Sequence, residues 1–170
     1  AVNALLAIGT NLFAGTTGGG GVFLSSNNGT SWTSANNGLA NTTVNALVMS
    51  GTNFFAGTYD FGVFLSTNSG INWTEVNSGL TNMDVRALAF SGTNLFAGTY
   101  GGGIFLSTNN GTSWTAVNNG LPTNPNNAVN ALLAIGTNLF AGTAFGGGGV
   151  FLSSNNGTSW TAVNFGLSNP

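Results

Sequence analysis

The sequence predicts an all-β chain of four repeats, each about 41–46 residues long and each folding into four short antiparallel strands. Three observations carry the prediction. The four tryptophans of the 170-residue chain, Trp32, Trp73, Trp114 and Trp160, lie 41, 41 and 46 residues apart. Each closes the same eight-residue pattern: Ser25 to Trp32, Ser66 to Trp73, Ser107 to Trp114 and Ser153 to Trp160. Between these patterns run short apolar stretches bounded by glycine-containing turns, with no helical period of useful length. A fixed period of this size is the signature of a repeat architecture.

The units run over residues 1–43, 44–84, 85–127 and 128–170. Each opens on an apolar run (2–7, 44–49, 85–90 and 129–134) whose two faces are both apolar, as expected of a strand buried on both sides near a ring axis. A turn follows, such as Ile8-Gly9-Thr10, and then a second run at 11–16 and its equivalents. The third run is 21–25, and the fourth is 31–36, leading into Asn37-Gly38-Leu39 and the link to the next unit. Four antiparallel strands per repeat make the blade of a β-propeller. A β-solenoid is the alternative, although its coils are shorter than these units.

Within the eight-residue pattern, Asn28-Gly29, Ser69-Gly70, Asn110-Gly111 and Asn156-Gly157 can supply the positive φ angles of a tight hairpin. Asn27, Asn68, Asn109 and Asn155 can accept hydrogen bonds from the turn backbone. The tryptophan at the end is a large apolar body expected to anchor the hairpin to its own sheet. The pattern resembles the Asp-box, or bacterial neuraminidase repeat, Ser-x-Asp-x-Gly-x-x-Trp, with Asn in place of Asp in all four copies. Asn keeps the acceptor oxygen and loses only the charge. The resemblance implies a folding element between the third and fourth strands of a propeller blade that takes no part in catalysis. It also implies kinship with bacterial secreted or cell-surface proteins built from long arrays of such units.

Charge is almost absent. The acids are Asp60, Glu75 and Asp84, the only base is Arg86, and there is no His, Lys or Cys. A net charge of -2 cannot steer a nucleic acid or an anionic membrane surface. No run reaches the ~18 apolar residues of a membrane-spanning helix, so membrane insertion is not expected. A single arginine cannot form the arginine cluster of a sialidase. A glycosidase of another type needs two facing carboxylates, and the acids fall in a loop, an outer strand and a link. Asp84 and Arg86 read as a local pair of little worth, and Glu75 as a solvated edge charge. Without His or Cys there is no triad and no soft metal site. Four-glycine runs at 18–21 and 146–149 lack the lysine and helix of a phosphate loop. Neither catalysis, a cofactor nor a metal is expected.

Binding or building remains. The connection between second and third runs varies from unit to unit, as does the link between units, and in a blade both open on one face. Tyr59, Phe61, Tyr100 and Phe145 recur in that connection among Asn, Thr and Gly, a setting that suits sugar rings or the filling of gaps between blades. The Asn-, Ser-, Thr- and Gly-rich composition resembles that of secreted proteins. The expectation is an extracellular or cell-surface structural or interaction scaffold, with a lectin-like, glycan-binding propeller as the alternative. Residues 1–16 and 128–143 are identical, as are 18–33 and 146–161, and the chain opens without Met. It therefore reads as a processed chain or a window on a longer array. Its expected partners are copies of itself, through ring completion or a filament, or other surface proteins.

Overall fold

A computed structural model of the chain describes residues 1–39, 42–124, 126–144 and 148–167. Four separate four-stranded antiparallel sheets follow the four repeats, with strand order equal to chain order within each sheet. The first blade holds β1 (Val2–Ile8), β2 (Asn11–Thr16), β3 (Gly21–Ser25) and β4 (Thr33–Ser34). The second holds β5 (Val44–Ser50), β6 (Asn53–Thr58), β7 (Gly62–Ser66) and β8 (Thr74–Glu75). The third holds β9 (Val85–Ser91), β10 (Asn94–Thr99), β11 (Gly103–Ser107) and β12 (Thr115–Ala116). The fourth holds β13 (Ala128–Ile135), β14 (Asn138–Ala144), β15 (Gly149–Ser153) and β16 (Thr161–Ala162). The described residues contain no helix. This is a propeller arrangement, in which β5 packs on β1, β9 on β5 and β13 on β9, so the first strands are the inner ones.

The box hairpin is held by its own side chains. Asn28 and Gly29 have φ of 55° and 82°, and the same pair of positions is left-handed in every blade. The Ser25 hydroxyl donates to Asn27 Oδ1 at 2.9 Å and accepts from the Gly29 amide at 2.9 Å. Asn27 Oδ1 also accepts from the Ser31 amide at 2.9 Å. The other three boxes repeat these bonds.

Three features depart from the sequence reading. First, the fourth strand pairs over only two residues, not six: Leu24 faces Thr33 and Phe23 faces Ser34. The ladder continues through a side chain, because Asn36 Oδ1 accepts the Val22 amide at 2.6 Å and Asn36 Nδ2 donates to the Gly20 carbonyl at 2.7 Å.

Second, the tryptophan anchors its hairpin to the preceding blade, not only to its own sheet. Trp73 Nε1 donates to the Ala35 carbonyl at 2.9 Å and its backbone amide to the Asn37 carbonyl at 2.8 Å. Trp114 uses Val76 and Ser78 in the same way, and Trp160 uses Val117 and Asn119. The chain leaves the outer strand early because its carbonyls are turned to the next blade. Gly38, Gly79 and Gly120 allow this approach: each has positive φ, and a side chain at any of them would strike the following tryptophan's carbonyl.

Third, the cores lie between blades. One joins Phe13, Val22 and Leu39 of the first blade to Val44, Phe54 and Trp73 of the second. Two more clusters of equivalent residues follow at the next junctions. Each blade thus has an outgoing face and an incoming face, and burial requires a neighbour on both. The first strand of the first blade is therefore not buried on both sides: Val2 is 56% exposed, whereas Val44, Val85 and Val129 are fully buried.

Candidate functional site

Each blade's first strand carries a bulge at the residue after its first valine, which is extra to the pairing with the second strand. A bulge re-aims the side chain it carries. In the first two blades that residue is asparagine, and it reaches across to the next blade: Asn3 Nδ2 to the Val44 carbonyl at 3.4 Å, Asn45 Nδ2 to the Val85 carbonyl at 2.9 Å. In the third blade it is Arg86. Here the guanidinium turns back on Asp84, with Nε to Oδ1 and Nη2 to Oδ2 both at 2.7 Å. The pair is bidentate and only partly exposed.

Two tyrosines flank the arginine. The guanidinium carbon stands 5.2 Å from the Tyr100 ring centroid and 5.9 Å from that of Tyr59, within the range of cation–π attraction. Tyr59 closes the end of β6 and Tyr100 the end of β10, and their amides donate to the carbonyls of Thr43 and Asp84 at 3.0 and 2.9 Å. Asn82 braces the floor: its Nδ2 donates to the Tyr100 carbonyl at 2.7 Å and its Oδ1 accepts the Asp84 amide at 3.1 Å. The bond to Asp84 raises the Arg86 pKa above the ordinary guanidinium value, against a smaller opposing effect of burial.

Together these groups line a cleft of about 640 Å³ that also takes in Asp60, Thr81 and Met83. Asp60 sits in the turn after Tyr59 with φ of 69°. Asp60 and Asp84, read from sequence as standing apart, thus share one cleft, because the loop after β6 folds onto the link before β9: the Gly62 amide donates to the Met83 carbonyl at 2.9 Å. Glu75 is elsewhere, exposed on β8 opposite Phe64. Phe61 is about half exposed and outside the cleft lining. Phe145 lies outside the described residues.

The sequence reading singled out Tyr59 and Tyr100 but not Arg86 or Asn82 as their companions. A signal was present: Arg86 stands where the other units have Asn3, Asn45 and Asn130. A departure from the repeat at a bulge marks where one blade differs from the rest. Among the described residues no cluster of His, Cys, Asp or Glu could hold a metal ion, and no helix is long and apolar enough to cross a membrane.

The family profile of the DUF6242 beta propeller domain matches residues 3–138. Among curated proteins no sequence matches the chain. Solved structures do. An ancestral GH74 enzyme superposes with a TM-score of 0.78 at 22% identity over 95% of this chain and 24% of its own. The extracellular domain of BT4673 from B. thetaiotaomicron, described as a one component system, gives 0.74 at 20% identity over 95% of this chain and 22% of its own. The computationally designed Ika4 protein gives 0.66 at 17% identity over 90% of each chain. The chain therefore spans about a quarter of the natural and ancestral structures and nearly the whole of the designed one.

Proposed function

The chain belongs to the DUF6242 beta propeller domain family, and we propose that it serves as a non-enzymatic extracellular interaction scaffold whose loop face carries one built binding cleft. One observation carries the reading: both tyrosines and three of the four charged side chains of the whole chain converge on that cleft. In a chain otherwise made of Asn, Ser, Thr, Gly and apolar residues, such a concentration is where recognition can be specific. The non-enzymatic part rests on the chemistry of the carboxylates. Both oxygens of Asp84 are taken by Arg86, which leaves Asp60 without a second free acid to complete an acid–base pair. The extracellular part is supported by likeness of fold to an extracellular domain and by the secreted-type composition.

The cleft favours a carbohydrate as its occupant. Two aromatic rings at its wall, an amide at its floor and a self-neutralised arginine present flat apolar surface beside hydrogen-bonding groups, which suits a neutral sugar ring. A glycan array probed with the wild type and with the Tyr59→Ala/Tyr100→Ala variant tests this. Glycan signals that vanish in the variant support it, and signals unchanged in the variant sink it. Release of reducing ends from a polysaccharide panel, abolished by Asp60→Asn, would overturn the non-enzymatic reading.

A further inference from the structure

The third link between blades departs from the pattern of the first two. Four residues separate Leu39 from Val44 and Leu80 from Val85, but seven, Pro122 and Pro125 among them, separate Leu121 from Val129. In the first two blades the short link lies against the turn between the second and third strands. There the Gly21 amide donates to the Thr42 carbonyl at 3.1 Å, and the Gly62 amide to the Met83 carbonyl at 2.9 Å. In the third blade Gly103 holds the place of Gly62, yet the corresponding carbonyl, that of Asn127, accepts from the Gly101 amide instead, at 2.7 Å. The seam opens into a hollow of about 210 Å³, with Gly101 to Gly103 on one wall and Leu121 to Asn124 and Asn127 on the other. No charged group is found among the described residues that line it. Asn127 is only 5% exposed, and among the described residues its Oδ1 has no donor. Such an acceptor in the wall favours an occupant that donates hydrogen bonds.

This hollow adjoins the cleft of Tyr59, Arg86 and Tyr100. Tyr100 lines the one and Gly101 the other, so a single turn divides them. Asn82 stands behind that turn: its Nδ2 donates to the Tyr100 carbonyl at 2.7 Å, and a side chain at Gly102 would come within 2.6 Å of its Cβ. Beyond Tyr100 the ridge is glycine, with no side chain to keep the two spaces apart. We infer that the two hollows are neighbouring subsites for one linear, neutral oligosaccharide that crosses the turn from Tyr100 to Gly103. The inference rests on the sugar reading of the first cleft and extends it from one ring to a chain. Three residues of turn span at most about 10 Å even when fully extended, short enough for a few linked sugar rings to bridge. Tyr59 and Tyr100 offer ring faces on one side, and Thr123, Asn124 and Asn127 offer hydroxyl and amide groups on the other. An acidic sugar would lose hydration in the second hollow and gain no ion pair there, so the chain that fits is neutral.

Calorimetric titration with cello-, xylo-, manno- and malto-oligosaccharides, from monomer to hexamer, tests this. One series is expected to bind, its hexamer about tenfold or more tighter than its dimer, because the second contact becomes intramolecular. Two variants remove the second hollow or its acceptor. One replaces residues 122–128 by the Ala-Asn-Thr-Thr of 40–43, and the other is Asn127→Leu. Asn127→Leu exchanges an unpaired acceptor for an apolar group of similar size, so its melting temperature is expected to hold or rise. In both variants the gain with length is lost while dimer affinity is unchanged. If dimer and hexamer bind the wild type alike, or either variant keeps the gain, the second subsite is wrong and the sugar reading of the first cleft stands. If no series binds, or binding survives in the Tyr59→Ala/Tyr100→Ala variant, that reading falls and the second subsite with it.

Discussion

Trp32 and Trp160 lie in identical sixteen-residue stretches, 18–33 and 146–161, yet one residue is 40% exposed and the other 4%. The hairpins that carry them make the same internal bonds at nearly the same distances. What differs is the neighbour. Trp160 has the Val117 and Asn119 carbonyls of the third blade before it, whereas no blade precedes Trp32 among the described residues. The box therefore separates into a local part, which shapes the turn, and a non-local part, which joins blades. The tryptophan belongs to the second.

The largest test of that separation is to remove the ring at each end. Trp160→Ala should cost about 3–5 kcal/mol, the usual loss for a buried aromatic. Trp32→Ala should cost about 1 kcal/mol or less, as for a partly exposed site. Urea unfolding monitored by circular dichroism measures both, and equal costs would erase the distinction. Next come the glycines that admit the following tryptophan. Gly166→Ala should cost about 1–2 kcal/mol from its left-handed backbone alone. Gly120→Ala adds a collision with the Trp160 carbonyl, worth a further 1–3 kcal/mol or so.

A sharper version reverses the expectation. Asn27→Ala and Asn155→Ala remove only bonds inside a hairpin, so both should cost about 1–2 kcal/mol. Asn27→Asp and Asn155→Asp keep the acceptor oxygen and should be nearly neutral in thermal melts. The smallest effect belongs to the charges. Removing the pair with Asp84→Asn and Arg86→Gln should change stability by no more than ~1 kcal/mol, given its partial exposure. Since the folded pKa of Arg86 is raised, its contribution is complete below the ordinary guanidinium pKa and fades only as pH rises through the folded value. Melting temperature should accordingly be flat between about pH 5 and 9, the chain having no histidine.

The repeat, the inner three strands and the left-handed turn residues were legible because each is set by residues a few positions apart. Run 11–16 is the observed β2 and run 21–25 the observed β3. The partner of the tryptophan was not legible, since Trp73 Nε1 reaches Ala35, 38 residues earlier, and nothing local in either residue announces it. The fourth strand was read too long for the same reason: its later carbonyls serve the next blade. The cleft was half legible. Two tyrosines among small polar residues stood out, but the meeting of Asp60 with Asp84 and Arg86 depends on a loop of the second blade folding onto the link into the third.

Because every core lies at a junction, the molecule behaves as a one-dimensional chain of nearest-neighbour couplings. The four described blades are joined in series by three such couplings. In these 170 residues the first and fourth blades, each held by one coupling, should exchange their amide hydrogens before the second and third do.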